Sequence, residues 1–299
     1  GGCHSTSNVM AGRLYGIPVK GTHAHSWIMV YEDELEAFRA YAEAMPNNCI
    51  FLVDTYDTLE GVRNAIRVGR ELRRGGHEMV GIRLDSGDLT ALSIEARKLL
   101  DAAGFQDAII LASDQIDEYQ IEDMHRHGSQ VDAWGIGTRL VTSYEKPALG
   151  GVYKLSAVEE ADGSWGYRLK LSEETIKISN PGIQQVRRMK DERDVPVADL
   201  IYDIHLPFSP ELYDEHGEIT GRYEGLEGED LLVPIFREGQ LVYEAPSLEA
   251  IRAHSLEQQA LFERVDWNNY QYGLEKNLFQ KKRALIERHR EALTAKESK

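Results

Sequence analysis

Short apolar runs alternate with helical patterns through residues 17–142, and this alternation limits the folds that are open to the chain. The β-type runs occupy 17–21, 49–53, 79–84, 109–112 and 133–136, and helices are predicted between them over 32–45, 58–74, 88–103 and 115–127. Strands separated by single helices are typical of right-handed βαβ units and a parallel sheet. Successive units of this kind favour an α/β barrel whose site lies at the carboxyl ends of the strands.

The pattern changes after Gly150, where short β-type pieces and turns replace the strand–helix alternation. Runs at 152–155 and 167–171 flank the turn sequence ADGSWG and predict a hairpin. More β-type pieces follow over about 180–247, and a polar, charge-rich helix is expected on the surface over roughly 268–296. We therefore predict two domains. Residues 1–150 would form the barrel core with an active-site rim. Residues 151–299 would complete the barrel and add a smaller β-containing part and a C-terminal helix.

The charge balance restricts the partners that the chain can bind. It has 34 Lys and Arg residues against 50 Asp and Glu residues, a formal net charge of -16. Such a surface argues against binding nucleic acid or an anionic membrane, although a local pocket can still be basic. Apolar stretches fall short of the roughly 18 residues that span a bilayer. With only Cys3 and Cys49, the sequence has no disulfide framework, so we expect a reducing, cytoplasmic setting.

Polar segments follow each of the β-type runs at the point where the run ends. These segments are GTHAHS at 21–26, DTYDT at 54–58, RLDSGD at 83–88, SDQID at 113–117 and GIGT at 135–138. Parallel strands deliver their carboxyl ends to one side of a sheet, so the segments are expected to share one rim. Carboxylates, an Arg, a His and a Gly-Thr turn on one rim suit a phosphorylated sugar that passes through a cationic transition state.

Each polar residue also has a plainer interpretation. Asp57, Asp88 and Asp117 each stand where a helix N-cap is common, and a glycine pair is by itself a weak phosphate-binding signal. Paired carboxylates would also suit glycoside hydrolysis. His23 and His25 are two positions apart, so on a strand they would lie on the same face and could bind a metal ion together. Strands place such pairs on one face whatever their purpose, so we assign no residue as a metal ligand.

Five ordered motifs make the sequence resemble the nicotinate phosphoribosyltransferase family. They are GTHAHSW, DTYDT, IRLDSGDL, ASDQIDE and WGIGTRLVTS, with GGCHSTSNVMAGRLYGIPV before them and LLVPIFREGQLVYEAPSLEAIRA near the end. The resemblance implies the irregular α/β barrel of a type II phosphoribosyltransferase with a smaller domain, acting as a homodimer. It also implies synthesis of nicotinate mononucleotide and pyrophosphate from nicotinate and phosphoribosyl pyrophosphate. ATP would be the co-substrate and Mg²⁺ would neutralise the phosphates.

The resemblance assigns three residues to catalysis. His25 matches the histidine that ATP phosphorylates, and an imidazole in that role needs a carboxylate beside its other nitrogen. Asp54, at the end of the next strand, is the candidate partner. Asp85 would lie near the positive charge that develops on the ribose.

Other residues are assigned to substrate binding by the same resemblance. Thr22 matches a position that contacts nicotinate, and Arg83 matches a guanidinium that binds the phosphoribosyl substrate. Ser7 stands where relatives that use nicotinamide tend to carry an Asp, and a neutral side chain favours the carboxylate of nicotinate. The remaining candidates belong to the rim and the cradle of the 5′-phosphate: Ser113, Asp114, Gly135, Gly137 and Thr138.

Rival functions and the extent of the chain stay open on the sequence alone. The rivals are quinolinate or nicotinamide phosphoribosyltransferase activity, or an inactive barrel that serves as a dimerisation or binding module. Family members also carry an N-terminal domain, with an aromatic–Arg element, upstream of the segment that matches residue 1. We therefore expect the chain to be a fragment of such an enzyme or an incomplete product, with little activity alone.

Overall fold

A computed structural model describes residues 2–172, 178–214 and 216–297 of the chain. The chain divides into two compact units, Gly1–Gly150 and Gly151–Lys299, and each is described by itself. The barrel and completion roles assigned to the two halves from the sequence stay predictions.

A parallel sheet with flanking helices forms the first unit. Its elements, in chain order, are α1 (Val9–Tyr15), α2 (His25–Ile28), α3 (Glu34–Ala44), β1 (Ile50–Leu52), α4 (Thr58–Arg74), β2 (Gly81–Leu84), α5 (Leu89–Ala102), β3 (Ile109–Asp114), α6 (Glu118–Arg126), β4 (Ala133–Ile136) and α7 (Thr138–Val141). The four strands pair in the order β1-β2-β3-β4, and every pair is parallel. The predicted parallel α/β arrangement is therefore confirmed.

Helix α4 shows how local sequence sets the boundaries of these elements. The Asp57 side chain accepts a hydrogen bond from the Glu60 amide at 2.8 Å and caps the first turn. Gly75 follows the last turn, which carries Arg73 and Arg74 where cations favour the helix dipole. Asp88 and Asp117 cap α5 and α6 in the same way. The plainer interpretation of these three aspartates is therefore confirmed.

The core of the first unit lies between one face of the sheet and the helices. Fully buried side chains from the strands, among them Phe51, Ile82 and Ile110, pack with Val62 of α4 and Leu100 of α5. Alternate strand residues point away from this core. That second face carries the polar strand ends, so the packing of the helices decides which side of the sheet can hold a site.

The strand predicted over 17–21 is wrong. The structure has a single parallel bridge there, between Thr6 and Val19, held by hydrogen bonds of the Thr6 amide to Pro18 and the Lys20 amide to Thr6. Pro18 has no N–H to offer a ladder. The segment that follows turns into α2 at His25 and does not extend as a strand.

The second unit consists mainly of an antiparallel sheet and two helices. Its elements are β5 (Ala157–Glu159), β6 (Trp165–Tyr167), β7 (Gln184–Lys190), β8 (Pro196–Asp203), β9 (Glu211–Tyr213), β10 (Ile219–Arg222), β11 (Glu227–Asp230), β12 (Phe236–Arg237), β13 (Gln240–Leu241), α8 (Leu248–Phe262), β14 (Gln271–Glu275) and α9 (Lys276–Glu297). A six-stranded sheet has the order β10-β9-β14-β8-β7-β11, in which β14 lies parallel to β8. Two small hairpins, β5-β6 and β12-β13, complete the strands that are described.

Three details of this unit differ from the sequence prediction. The hairpin forms between β5 and β6, closer to the turn than predicted, because the Asp162 carboxylate holds the Ser164 amide and hydroxyl. Helix α8 was not predicted. The helix predicted over 268–296 begins later, at Lys276, because its first residues form β14.

Helix α9 does not lie wholly on the surface, as the sequence suggested. Leu278, Phe279 and Leu285 of its inner face are buried. The fully buried Glu275 carboxylate accepts hydrogen bonds from the Asn277 and Leu278 amides, at 3.0 Å and 3.1 Å, and so fixes where the helix starts. The apolar stripe covers only one side of the helix, so the many charged residues on the other sides obscure it in the sequence.

Two further features concern the helices and the cysteines of the described residues. Across the described ranges, every helix is too short or too polar to cross a membrane. Cys3 and Cys49 are both reduced thiols, and burial raises the pKa of Cys49 to about 11.

Close packing of α4 on β1 leads to a stability prediction. A Cβ atom at Gly61 would overlap the Val53 carbonyl oxygen, whereas one at Gly69 would meet side chains, the Phe105 ring edge at 3.0 Å and the Met79 Cβ at 3.4 Å. We expect Gly61→Ala to lower the free energy of unfolding by about 1–3 kcal/mol, the usual cost of overpacking. Gly69→Ala is the matched control, with the same gain in helix propensity and a ring that can shift. Equal urea midpoints for the two variants would contradict the prediction.

Candidate active site

A row of side chains crosses the carboxyl ends of the four strands of the first unit. In the parallel register, Leu52 pairs with Arg83 and Ser113 pairs with Gly135. Asp54 and Asp85 follow Leu52 and Arg83 by two positions, so their side chains lie on the same face of the sheet. Asp54 and Asp85 are therefore neighbours, and the Asp85 amide donates to the Asp54 carboxylate at 3.0 Å. The predicted rim segments after β1, β2, β3 and β4 thus meet on one side of the sheet.

Arg83 ties three of these segments together. Its Nε donates to Ser113 Oγ at 2.6 Å, Nη1 to Thr22 Oγ1 at 3.0 Å, and Nη2 to Asp85 Oδ1 at 2.7 Å. Ser113 also donates to the same Asp85 oxygen. A guanidinium has five N–H donors, and hydrogen bonds to described residues use three of them, so two remain for a ligand. The network holds the fork in one orientation before any substrate arrives.

The Asp85 carboxylate stays ionised in this network. Partial burial acts to raise its pKa, but hydrogen bonds from Ser113 and Arg83, with the Arg83 charge, outweigh burial and leave the pKa below its usual range. Asp85 therefore presents a fixed negative charge at the rim. Its second oxygen, Oδ2, faces His25.

His25 begins helix α2 and lies beside both aspartates. Its Nε2 is 3.4 Å from Asp85 Oδ2 and 3.9 Å from Asp54 Oδ1, and its side chain is 39% exposed. On the other side of the ring, Nδ1 lies 3.1 Å from Thr55 Oγ1. Asp54, predicted as the partner of His25, is thus the more distant carboxylate, and Asp85 is the nearer one.

The Asp54 carboxylate is buried and only half satisfied. Its side chain is 0% exposed, and Oδ2 accepts hydrogen bonds from the Asp85 amide and from Ser86 Oγ at 2.6 Å. Within the described part of the chain, Oδ1 has no hydrogen-bond partner, and it is the oxygen that faces His25. An unsatisfied buried carboxylate oxygen is costly, so this atom is poised to receive a proton donor or a cation.

His23 has a different role from His25. It is buried, its Nε2 accepts the Leu52 amide proton at 3.2 Å, and its ring packs edge-on against Tyr41. Burial, aided by the Arg83 charge, lowers the pKa of His23 to about 4. The two histidines do not share a strand face as the sequence suggested, because the chain enters α2 between them. The residues that the structure describes contain no group of three or more His, Cys, Asp or Glu side chains fit to hold a metal ion.

The polar segment GIGT, residues 135–138, places two glycines beside this row of side chains. A Cβ atom at Gly135 would lie 3.0 Å from the Ser113 Cβ, so this position must stay small. Gly137 precedes α7, with open space where a side chain would stand, and Thr138 is the exposed first residue of that helix. Asp114 ends β3 with φ at 141°, a strained conformation for a residue other than glycine.

Ser7 lies apart from the hydrogen-bonded network just described. It is exposed, between Thr6, which bridges to Val19, and Asn8, whose side chain caps α1. Its role in choosing the pyridine stays a prediction. Thr55 and Ser86 are contacts that the sequence analysis did not single out, although both stand directly beside predicted aspartates in the motifs DTYDT and RLDSGD.

Comparison with known proteins supplies the context for this site. Residues 3–164 match the model of the nicotinate phosphoribosyltransferase (NAPRTase) family. The chain is 42% identical over 278 residues to nicotinate phosphoribosyltransferase of Bacillus subtilis (strain 168), which covers 90% of this chain and 55% of the relative. It is 31% identical over 312 residues to the Homo sapiens protein of that name, over 85% of this chain and 57% of the relative.

A solved structure extends the likeness to the fold. Human nicotinic acid phosphoribosyltransferase superposes with a TM-score of 0.75 at 26% identity, over 94% of this chain and 65% of that one. The predicted fold class, the α/β fold of type II phosphoribosyltransferases, is therefore confirmed. The chain spans about half the length of the curated relatives that it matches.

The buried, neutral state of His23 leads to a pH prediction. Its folded pKa of about 4 lies below the ordinary 6.5, so the unfolded chain takes up a proton first as pH falls. Unfolding free energy should be lost between pH 6.5 and about 4, with a slope of up to about 1.4 kcal/mol per pH unit from this residue. His23→Gln should flatten that part of the urea-unfolding profile, and exposed His127→Gln should not. Parallel profiles for wild type and His23→Gln would refute this origin of the pH dependence.

Proposed function

This chain belongs to the nicotinate phosphoribosyltransferase family, and on that premise we propose that it transfers the phosphoribosyl group of phosphoribosyl pyrophosphate to nicotinate. The products would be nicotinate mononucleotide and pyrophosphate, on a route to NAD. One observation carries the proposal: Arg83, Asp85 and His25 are held together on one rim by hydrogen bonds and short charge contacts. Such a rim combines an anion-binding fork, a fixed negative charge and a nucleophilic imidazole.

We assign Arg83 and Asp85 to the sugar phosphate. The two unused N–H donors of Arg83 suit the charged oxygens of a phosphate, and its fork is already oriented by Ser113 and Thr22. The lowered pKa of Asp85 keeps its carboxylate negative. That charge would stabilise the positive charge that develops as the bond from ribose to pyrophosphate breaks.

The glycine segment is assigned to the other end of the same substrate. Open space around Gly137 and the first amides of α7 would let the 5′-phosphate approach the backbone next to Thr138. Asp114 and Ser113 border this segment through the pairing of β3 with β4. We propose that these residues fix the sugar at its phosphate end while Arg83 holds the pyrophosphate end.

His25 is the proposed acceptor of a phosphoryl group from ATP, the co-substrate. A ring nitrogen would attack the γ-phosphorus while the bond to ADP breaks, and water would later release phosphate from the histidine. Asp85 at 3.4 Å and Asp54 at 3.9 Å lie close enough to stabilise the positive imidazole ring. The unpaired Oδ1 of Asp54 gives that charge a buried partner.

The residues present also fit Mg²⁺, in the mode that it uses with phosphates. Mg²⁺ is usually bound by one or two carboxylates together with substrate oxygens and water. Asp54 and Asp85 would hold the ion while the His25 ring is neutral, and Asp85 Oδ1 stays hydrogen-bonded to Arg83 and Ser113. Bound there, the ion would neutralise phosphate charge.

The choice of base and the setting are proposals as well. Thr22 beside Arg83 and the neutral Ser7 support nicotinate over nicotinamide, since neither side chain would repel a carboxylate. We further propose a homodimer in the cytoplasm, supported by the family and by the reduced thiols. Activity with nicotinamide in place of nicotinate would point to the rival member of the same enzyme class.

Phosphorylation of His25 can be tested directly. We expect the purified protein to take up acid-labile label from γ-labelled ATP and His25→Ala to take up none, because the acceptor nitrogen is gone. His77→Ala, which removes a partly exposed histidine of the same unit, is the control and should keep the label. Label that persists in His25→Ala would place the acceptor elsewhere.

Binding of the sugar phosphate can be tested at Arg83. Arg83→Ala should weaken phosphoribosyl pyrophosphate binding by about tenfold or more, since a hydrogen bond to a charged group contributes about 1.5–3 kcal/mol. The control is Arg70→Ala, which removes the same charge from an exposed position on α4 and should leave the binding of phosphoribosyl pyrophosphate unchanged. Calorimetric titration measures both. Unchanged affinity in a folded Arg83→Ala protein would remove Arg83 from the substrate site.

A further inference from the structure

We propose that the solvent face of helix α4 is a docking surface for an extended acidic segment of a partner protein. The surface is an arginine strip, which consists of Arg63, Arg67, Arg70 and Arg74. Helix α4 begins just after the carboxyl end of β1 and leads back to the start of the parallel strand β2. The strip therefore runs away from the rim that carries the candidate active site, and the proposal does not depend on the transfer reaction.

The composition of this helix face is the first support. Between residues 61 and 74, every exposed side chain is an arginine, and the other residues are buried or, for Glu71, partly buried. Arg73 turns aside to pair with Glu78 at 2.7 Å. The other four arginines follow one another by four, three and four positions. At 3.6 residues per turn they fall within about 60° around the helix and form one strip about 17 Å long. The whole chain, in contrast, has a formal net charge of -16.

The charges of the strip are largely uncompensated. Arg63 and Arg67 share one carboxylate, that of Glu60, at 3.1 Å and 3.6 Å. Among the described residues, the Arg70 side chain has no hydrogen bond or ion pair, and Arg74 donates one hydrogen bond to the Arg70 carbonyl at 3.3 Å. Four guanidinium groups thus have a single carboxylate within ion-pair distance in the part of the chain that the structure describes. Most of their N–H donors are open to a partner.

The neighbouring helices limit the width of the positive surface. Helix α3 packs beside α4 and exposes the acidic residues Glu36 and Glu43. On the neighbouring α5, Arg97 and Lys98 are each paired with a carboxylate of their own helix at 2.7 Å. Unbalanced positive charge is therefore confined to the width of one helix, about 10 Å. A lipid surface or a nucleic-acid duplex is broader and would bring its phosphates over the acidic groups of α3, so a narrow, linear occupant fits better.

The spacing of the arginines favours an extended peptide. Consecutive members of the strip are about 4.5–6 Å apart along the helix axis, and alternate side chains of an extended peptide are about 6.6 Å apart on one side. Long arginine side chains absorb this difference, and each fork can bind a carboxylate through two parallel hydrogen bonds. Single-stranded nucleic acid is ordinarily bound with aromatic side chains on which its bases stack. The exposed positions over 61–74 are all arginine, so an acidic peptide is the better match.

Binding to the strip can be measured with a defined probe. The probe is a fluorescein-labelled peptide of about eight residues in which Glu alternates with Gly, which is long enough to cover the strip. In fluorescence anisotropy the wild type should bind this peptide and should not bind the same peptide with Lys in place of Glu. Binding should weaken as the ionic strength rises from about 0.05 M to about 0.5 M, because exposed charges are screened. An excess of phosphoribosyl pyrophosphate should not displace the peptide, since the strip lies away from Arg83.

Replacement of the strip tests its role directly. A variant that combines Arg67→Gln, Arg70→Gln and Arg74→Gln should bind the Glu peptide about tenfold more weakly or worse, the combined effect expected of three exposed ion pairs. Glutamine has nearly the helix propensity of arginine, so α4 should be kept. If the triple variant does not fold, Arg70→Gln and Arg74→Gln alone replace it, and each should weaken binding by about twofold.

A matched control separates the strip from the overall charge. Arg13→Gln, Arg126→Gln and Arg237→Gln together remove the same charge from exposed positions outside the strip, and this variant should bind the Glu peptide as the wild type does. Equal affinity of the strip variant and the wild type would overturn the proposal, as would equal losses in the two triple variants. Absence of wild-type binding, displacement by phosphoribosyl pyrophosphate, or tighter binding of a single-stranded oligonucleotide of the same charge would overturn it as well.

Discussion

In-register parallel pairing of β1, β2, β3 and β4 is the constraint on which the rest of the site depends. Pairing of Leu52 with Arg83 and of Ser113 with Gly135 sets Asp54, Asp85, Ser113 and Gly135 into a row at one end of the sheet. A slip of one residue in any pair would turn its side chains into the helix-covered core. The apolar residues of that core, such as Ile82 and Ile110, therefore hold the polar row in place.

Hydrogen bonds and burial give chemically identical side chains at this site different properties. Asp85 is tied to Arg83 and Ser113 and is kept ionised, whereas the side chain of Asp54 is fully buried and its oxygen on the side of His25 has no hydrogen-bond partner among the described residues. Two histidines separated by one residue differ as strongly. His23 is a buried, neutral acceptor for the Leu52 amide, and His25 stands partly exposed among charged groups. Their different chemistry comes from burial and partners, because the side chains are the same.

Sequence periodicity was most reliable where local and tertiary preferences agree. Helix α4 forms over Thr58–Arg74, with the cap at Asp57 and the glycine end that its sequence indicates. The prediction over 17–21 failed because a strand exists only where a neighbouring strand pairs with it, and this segment meets one bridge partner at Thr6. Strand β14 was missed because the charged helix that follows dominates the pattern around it.

The sequence by itself determined the α/β class and the polar segments that follow the strands, because hydrophobic period and capping residues are local properties. It also named most of the residues that meet at the rim. Only the tertiary structure decided that Asp85 lies closer to His25 than Asp54 does, that Thr55 meets the other nitrogen, and that His23 belongs to the core. Those outcomes depend on distances of a few ångströms between segments that lie about 30 residues apart in the sequence, as His25 and Thr55 do. Periodicity carries no information about distances across the sheet, since they arise from how strands and helices pack.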